Sequence, residues 1–200
     1  MLSRVKPILL SVALLALAAC DETDAVAVRI KLRDDLSGQV TTSNVAAVTS
    51  DTPLQAATQG ANWESRAQIV CAAGRFAAIS QLKIADIAIS SGDGGEGFAF
   101  VRISLPRGED AQWHKLLVPL SVQERQSAAA ALDPSGKTKN IASTIKLEIE
   151  LPSTVVGNGL FGRARGMKLK AEGATATLIV PVDIASTAGD PIVWHVTWQR

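Results

Sequence analysis

A chain of 200 residues is long enough to bury a core, and its 20 basic against 19 acidic side chains create no global field that would draw it to nucleic acid. Four tryptophans, four phenylalanines and no tyrosine leave few flat surfaces for stacking bases or sugars. Its two histidines, His114 and His195, lack the HxH and HExxH spacings of metal sites, and no cofactor is indicated.

Residues 1–19 begin with Arg4 and Lys6, continue as an apolar run from Ile8 to Leu17, and end in Leu17-Ala18-Ala19-Cys20. A basic start, a short apolar stretch and a small-residue cleavage site make a secretory signal, and the run is shorter than the roughly 20 residues a transmembrane helix needs. The final tetrapeptide resembles the lipobox of bacterial lipoproteins. That resemblance implies cleavage between Ala19 and Cys20, a diacylglycerol on the Cys20 sulfur, and a chain held on the extracytoplasmic side of a bacterial envelope membrane. One acyl chain binds membranes only marginally, and the two or three carried by such proteins make a durable anchor. Asp21 and Glu22 resemble the inner-membrane retention signal of enterobacterial lipoproteins, which favours that membrane. Taking Arg4 and Lys6 from the 20 basic residues leaves 18 against 19 acidic ones.

Beyond an acidic tether over 20–24, residues 25–33 alternate, with Val26, Val28, Ile30 and Leu32 on one face and Arg29, Lys31 and Arg33 on the other, the period of a half-buried strand. Asp34 to Gly38 supplies a turn and 39–48 a second strand, forming a hairpin. A polar loop over 49–61 leads to Asn62, a helix N-cap by type. Trp63, Ala67, Val70, Cys71, Gly74 and Ala78 fall on one helical stripe, predicting a long helix over 63–79. Strands follow at 81–90 and 97–105, joined by a Ser91–Glu96 loop, with Ala99, Val101, Ile103 and Leu105 on one face. Residues 109–118 predict a short helix with Trp113, and 121–132 a second helix stopped by Asp133-Pro134-Ser135-Gly136. Alternation returns at Ile145–Leu151, at Ala176–Ile184 and at Trp194–Trp198. The predicted fold is α+β: residues 25–200 as one domain, a curved, mainly antiparallel sheet with one long helix and one or two shorter helices packed on it.

Candidate chemistry is sparse. Cys71, in an apolar stretch, reads as a buried inert thiol with no internal disulfide once Cys20 is lipidated. His195 points away from Trp194, Val196 and Trp198, onto the polar face. Neither GxSxG nor SxxK occurs, so no nucleophile motif is present. Ser91–Gly97 lacks the Lys-Ser/Thr of a phosphate loop and reads as a hairpin turn, as Asp34-Asp35 reads as a turn acid pair. Arg163, Arg165, Lys168 and Lys170 form the one local basic cluster, suited to anionic headgroups or an acidic partner.

Three further segments carry a second resemblance: Arg33-Asp34-Asp35-Leu36-Ser37-Gly38, then Leu151-Pro152-Ser153-Thr154 leading to Asn158, then Glu172-Gly173-Ala174-Thr175 running into Val180. Their order resembles LppM-type lipoproteins, with Ser153 at a customary glycine and Leu178 at a customary tryptophan. The resemblance implies an α+β domain with a lipid-binding cavity and transfers no catalytic residue. The reading is a non-catalytic, membrane-anchored envelope lipoprotein that binds a lipid or other apolar ligand. The alternative is a module that docks on another envelope protein, with the 190–200 strand as an exposed edge for strand addition.

Overall fold

Branched apolar residues alternating with charges give the first strand, β1 (Val26–Leu32), which turns back at Leu36 (φ 62) into β2 (Gly38–Ala47). The turn is closed by the Asp35 carboxylate, whose Oδ1 accepts the Ser37 amide at 2.9 Å. The structure, a computed structural model, describes residues 24–47, 67–118, 142–162 and 165–200, with isolated positions at 57, 59, 120, 121, 123, 124 and 127. Its remaining strands are β3 (Ala67–Phe76), β4 (Ala88–Gly95), β5 (Phe98–Leu105), β6 (Thr144–Glu150), β7 (Val155–Phe161), β8 (Lys168–Glu172), β9 (Thr175–Pro181) and β10 (Ile192–Gln199). Two short helices accompany them, α1 (Gln112–Leu117) and α2 (Val182–Ser186), with a single 3-10 turn at Ile79–Gln81.

The strands form two sheets. The larger has the order β3-β2-β1-β6-β9-β8 and the smaller β4-β5-β10-β7. Pairing is antiparallel except between β1 and β6, which run parallel. That parallel register sets Arg29 beside Glu148 and Lys31 beside Glu150, and both pairs are ion pairs at 2.7 and 2.6 Å. Opposite charges on one face and Val28, Ile30, Leu147 and Ile149 on the other fix which way each strand is turned. The apolar faces meet in one core, where Val28, Ile30 and Leu147 of the large sheet lie across from Ile89 and Ile103 of the small one. Asn158 links the edge strands of the two sheets. Its Oδ1 accepts the Trp194 indole N–H at 2.7 Å, and its Nδ2 donates to the Lys170 carbonyl at 2.7 Å.

Register also defines the two ends of the sandwich. β1 and β6 begin where β9 ends and β8 begins, as the pairs Val26–Ile145, Thr144–Pro181 and Lys168–Ile179 show. Asp24, the first described residue, lies at this end, its Oδ1 accepting the Thr144 hydroxyl. Phe161 of β7 pairs with Val193, near the start of β10, and α2 joins β9 to β10 here. All described elements lie between Asp24 and Arg200, so the chain from Cys20 onward holds the described core.

The α+β expectation is corrected: this is a two-sheet β architecture, and among the described residues no helix exceeds six residues. The long helix expected over 63–79 is β3 from Ala67, paired with β2 at all ten of its positions. Alanine, glycine and cysteine fit a 3.6 and a 2.0 period equally, and the ladder offered by β2 decides between them. Asn62 and Trp63 lie outside the described residues. Of the expected 81–90 strand only its end belongs to β4, which continues through the expected loop to Gly95; the turn is at Glu96 and Gly97. Val182 and Ile184, expected as strand, belong to α2, in which Val182 and Ala185, three apart, are buried. The short helix carrying Trp113 is α1, whereas the helix expected over 121–132 lies mostly outside the described residues. The 190–200 strand is not an edge, because β10 pairs with β5 on one side and β7 on the other.

α1 receives its N-terminal cap from afar. Asp86 accepts the Gln112 amide at 2.9 Å and the Trp113 amide at 2.7 Å with its two oxygens, while the buried Trp113 indole donates to the Pro106 carbonyl at 2.8 Å. Asp86→Ala is expected to lower stability by about 1–2 kcal/mol. The loss is read as a shifted urea midpoint with an unchanged slope; an unchanged midpoint would remove Asp86 from this role.

Candidate functional site

Three places deserve weighing, and the first is a cleft of about 840 Å³ between α1 and α2, lined in part by Glu109, His114, Lys115, Asp183 and Ser186. It joins a histidine, a serine and carboxylates, so its hydrogen bonding decides what it can do. His114, 8% exposed, has its Nε2 2.8 Å from Ser186 Oγ. The Ser186 hydroxyl donates its one proton to the Val182 carbonyl at 2.7 Å, four residues back in the same turn. Its oxygen is thereby the acceptor toward His114, and Nε2 carries the hydrogen. A base must accept the serine proton, and this histidine donates to the serine instead. The pair as arranged ties α1 to α2 and does not activate Ser186. Asp183 accepts its own Ile184 amide at 2.9 Å, and Lys115 pairs with Asp110 at 3.0 Å.

The second place is the outer face of the small sheet. Cross-strand register puts Ser90, Arg102, His195 and Gly159 in one row, with Gly92, Phe100, Thr197 and Gly157 in the next. The His195 ring stacks on Phe100 at 5.1 Å between centroids, and Phe161 meets it edge-on at 5.8 Å. The Arg102 guanidinium lies over both phenyl rings, 5.9 Å from Phe100 and 5.3 Å from Phe161. Glycine is needed at position 92, because a Cβ there would sit 2.7 Å from the Phe100 ring that covers it; above Gly159 the space is open. Arg102 is exposed and has no carboxylate partner among the described residues. This is a cation seated on aromatic rings with one side free.

Burial, and then the charge of Arg102, push the His195 pKa below its ordinary value of 6.5. A depressed histidine pKa favours the neutral ring in the fold. The stability it confers is therefore present above the unfolded pKa and falls away as pH drops through that value toward the folded one. His195→Phe is expected to flatten the loss of melting temperature between pH 8 and pH 5; parallel pH profiles for the two proteins would contradict this.

The third place is the basic cluster. Lys168 and Lys170 project from edge strand β8 on the same face, both exposed, and Arg165 is exposed in the turn before it. The structure therefore brings Arg165, Lys168 and Lys170 onto one corner, while Arg163 lies outside the described residues. Ala19 and Cys20 also lie outside them. Cys71 differs from the inert buried thiol expected: it is half-buried on β3 and disulfide-bonded, and the chain has only one other cysteine, Cys20. His195 lies on the face opposite Trp194, as its position in the alternation predicts. The same alternation places Phe100 and Arg102 outward, a signal open to a reader of the sequence; nothing in the sequence pairs them with Phe161. Among the described residues no group of three or more His, Cys, Asp or Glu is placed to hold a metal.

No protein-family model matches this chain, and neither a curated protein nor a solved structure is significantly similar to it.

Proposed function

We propose that this chain is a non-catalytic, lipid-anchored protein of the bacterial cell envelope that works by surface docking. The anchor rests on Leu17-Ala18-Ala19-Cys20 and the basic–apolar segment before it. Docking is favoured over carriage of an apolar ligand between the sheets by one observation: among the described residues the two sheets close on each other, while the larger cleft beside α1 and α2 is open and lined by Glu109, His114, Lys115 and Asp183, which do not suit an acyl chain. The gap among Val28, Ile30, Ile87, Ile103 and Leu147 is about 10 Å³, close to the space of a single water and far below that of an acyl chain. What the small sheet offers outward is the cluster of Phe100, His195 and Arg102. Its exposed cation on an aromatic bed suits a partner protein that presents a carboxylate beside an apolar side chain.

The experiment is a benzophenone amino acid at Ser90, next to Arg102 in the register, photolysed in native membranes. One discrete protein adduct, lost when Arg102→Glu is added, is the expected result. A lipid bound one-to-one in native mass spectra, with no protein adduct, would overturn docking in favour of carriage.

A further inference from the structure

The anchor fixes which end of the sandwich faces the membrane, and the groups at that end are specific. Phe161, 59% exposed, closes β7; Arg165 follows in the connection to β8 and Lys168 opens β8, both exposed. The turn between them is seated on α2, since a Cβ on Gly166 (φ 80) would lie 2.6 Å from Ile184 Cδ1. Four residue-to-residue steps lead from Cys20 to Asp24, a reach of at most about 14 Å. In the large sheet β8 stands three strands from β1, again about 14 Å. A chain whose Cys20 carries acyl chains thus holds this corner within reach of the lipid surface.

Acids lie at both ends, and what distinguishes the corner is its pair of exposed cations. Asp34, Asp35, Asp93, Glu96 and Glu172 lie in or beside the turns of the opposite end. Near the corner, acidic groups have other partners: Asp86 caps α1, Asp110 pairs with Lys115, and Asp183 accepts an amide of its own helix. Glu109 and Asp190 lie on the connections beside α1 and α2, and Asp24 at the same end accepts the Thr144 hydroxyl.

We infer that the β7–β8 corner, Phe161 with Arg165 and Lys168, is a second membrane contact that seats the domain on anionic phospholipid headgroups. It rests on the anchor reading and adds to it an orientation: Phe161 enters the interface, the two cations meet lipid phosphates, and the acidic turns point away. Because the tether keeps the corner near the surface, contacts too weak to bind a free domain are sufficient. The two cations together favour the seated state by about 30-fold on an anionic surface.

The test replaces residues 1–20 by a hexahistidine tag and holds the chain on vesicles containing a nickel-chelating lipid. This tethers the same end whatever the fate of Cys20. Amide hydrogen exchange is compared between vesicles of phosphatidylcholine alone and vesicles with added phosphatidylglycerol. Slower exchange over residues 161–168 on phosphatidylglycerol is expected, abolished by Arg165→Ala/Lys168→Ala and by high salt, with the melting temperature of the variant unchanged. Equal exchange on both vesicles, or protection at residues 34–37 instead, would overturn the inference. Failure here leaves the anchor standing, and an unacylated Cys20 in the native protein leaves this result standing.

Discussion

Trp194→Ala lowers the unfolding free energy by about 3–5 kcal/mol, the largest loss expected from any single substitution in the small sheet. Trp194 is 0% exposed and fills the space between the sheets from β10, the strand that β5 and β7 both pair with. Truncation removes a large apolar surface and opens a cavity that flanking strands cannot close without giving up their ladders. It also strips Asn158 of the indole N–H it accepts, and Asn158 is the residue that joins β7 to the Lys170 carbonyl of β8. Trp194→Phe keeps most of the volume and loses the hydrogen bond, so its cost is smaller, about 1–3 kcal/mol. The two variants are compared by urea denaturation followed by circular dichroism. A loss under about 1 kcal/mol for Trp194→Ala would mean that the core does not depend on this ring.

Cys20→Ser is expected to abolish acylation of the chain, and Cys71→Ser to leave it intact. The effect is all or none, because the thioether needs the sulfur of Cys20. In cells fed labelled palmitate, the wild-type band and the Cys71→Ser band carry label, and the Cys20→Ser band carries none. Label retained by Cys20→Ser would refute the anchor. The Cys71 variant bears on a second matter as well. Cys71 is disulfide-bonded in the structure, and the sequence has only two cysteines. A sulfur held in a thioether cannot also form a disulfide, so acylation of Cys20 and an intrachain disulfide are mutually exclusive products.

The strands that could be read from sequence are those whose side chains differ sharply in polarity from one position to the next. Val26–Leu32, Thr144–Glu150 and Ile192–Gln199 alternate branched or aromatic residues with charges or polar groups, and only a two-sided strand fits. β3 could not be read this way. Its Ala, Gly and Cys residues have little preference for a face, and pairing with a strand some 30 residues earlier is invisible to a local pattern. α2 was hidden for the opposite reason: Val180, Val182 and Ile184 alternate well, yet Pro181 ends the ladder and the chain turns helical to bury Val182 and Ala185. β4 looked like a loop because Gly92 is there, and Gly92 is there to accommodate the Phe100 ring. For the outer face of the small sheet, parity places Phe100, Arg102 and His195 together, but the arrival of Phe161 depends on β7 joining that sheet, which no residue announces.

Whether the chain is anchored through Cys20 is tested most directly by the intact mass of the protein purified from its native membranes. Cleavage before Cys20 and the added mass of a diacylglycerol on the N-terminal peptide are the predicted result. An uncleaved chain, or a Cys20 that carries no added lipid mass, would contradict the anchor.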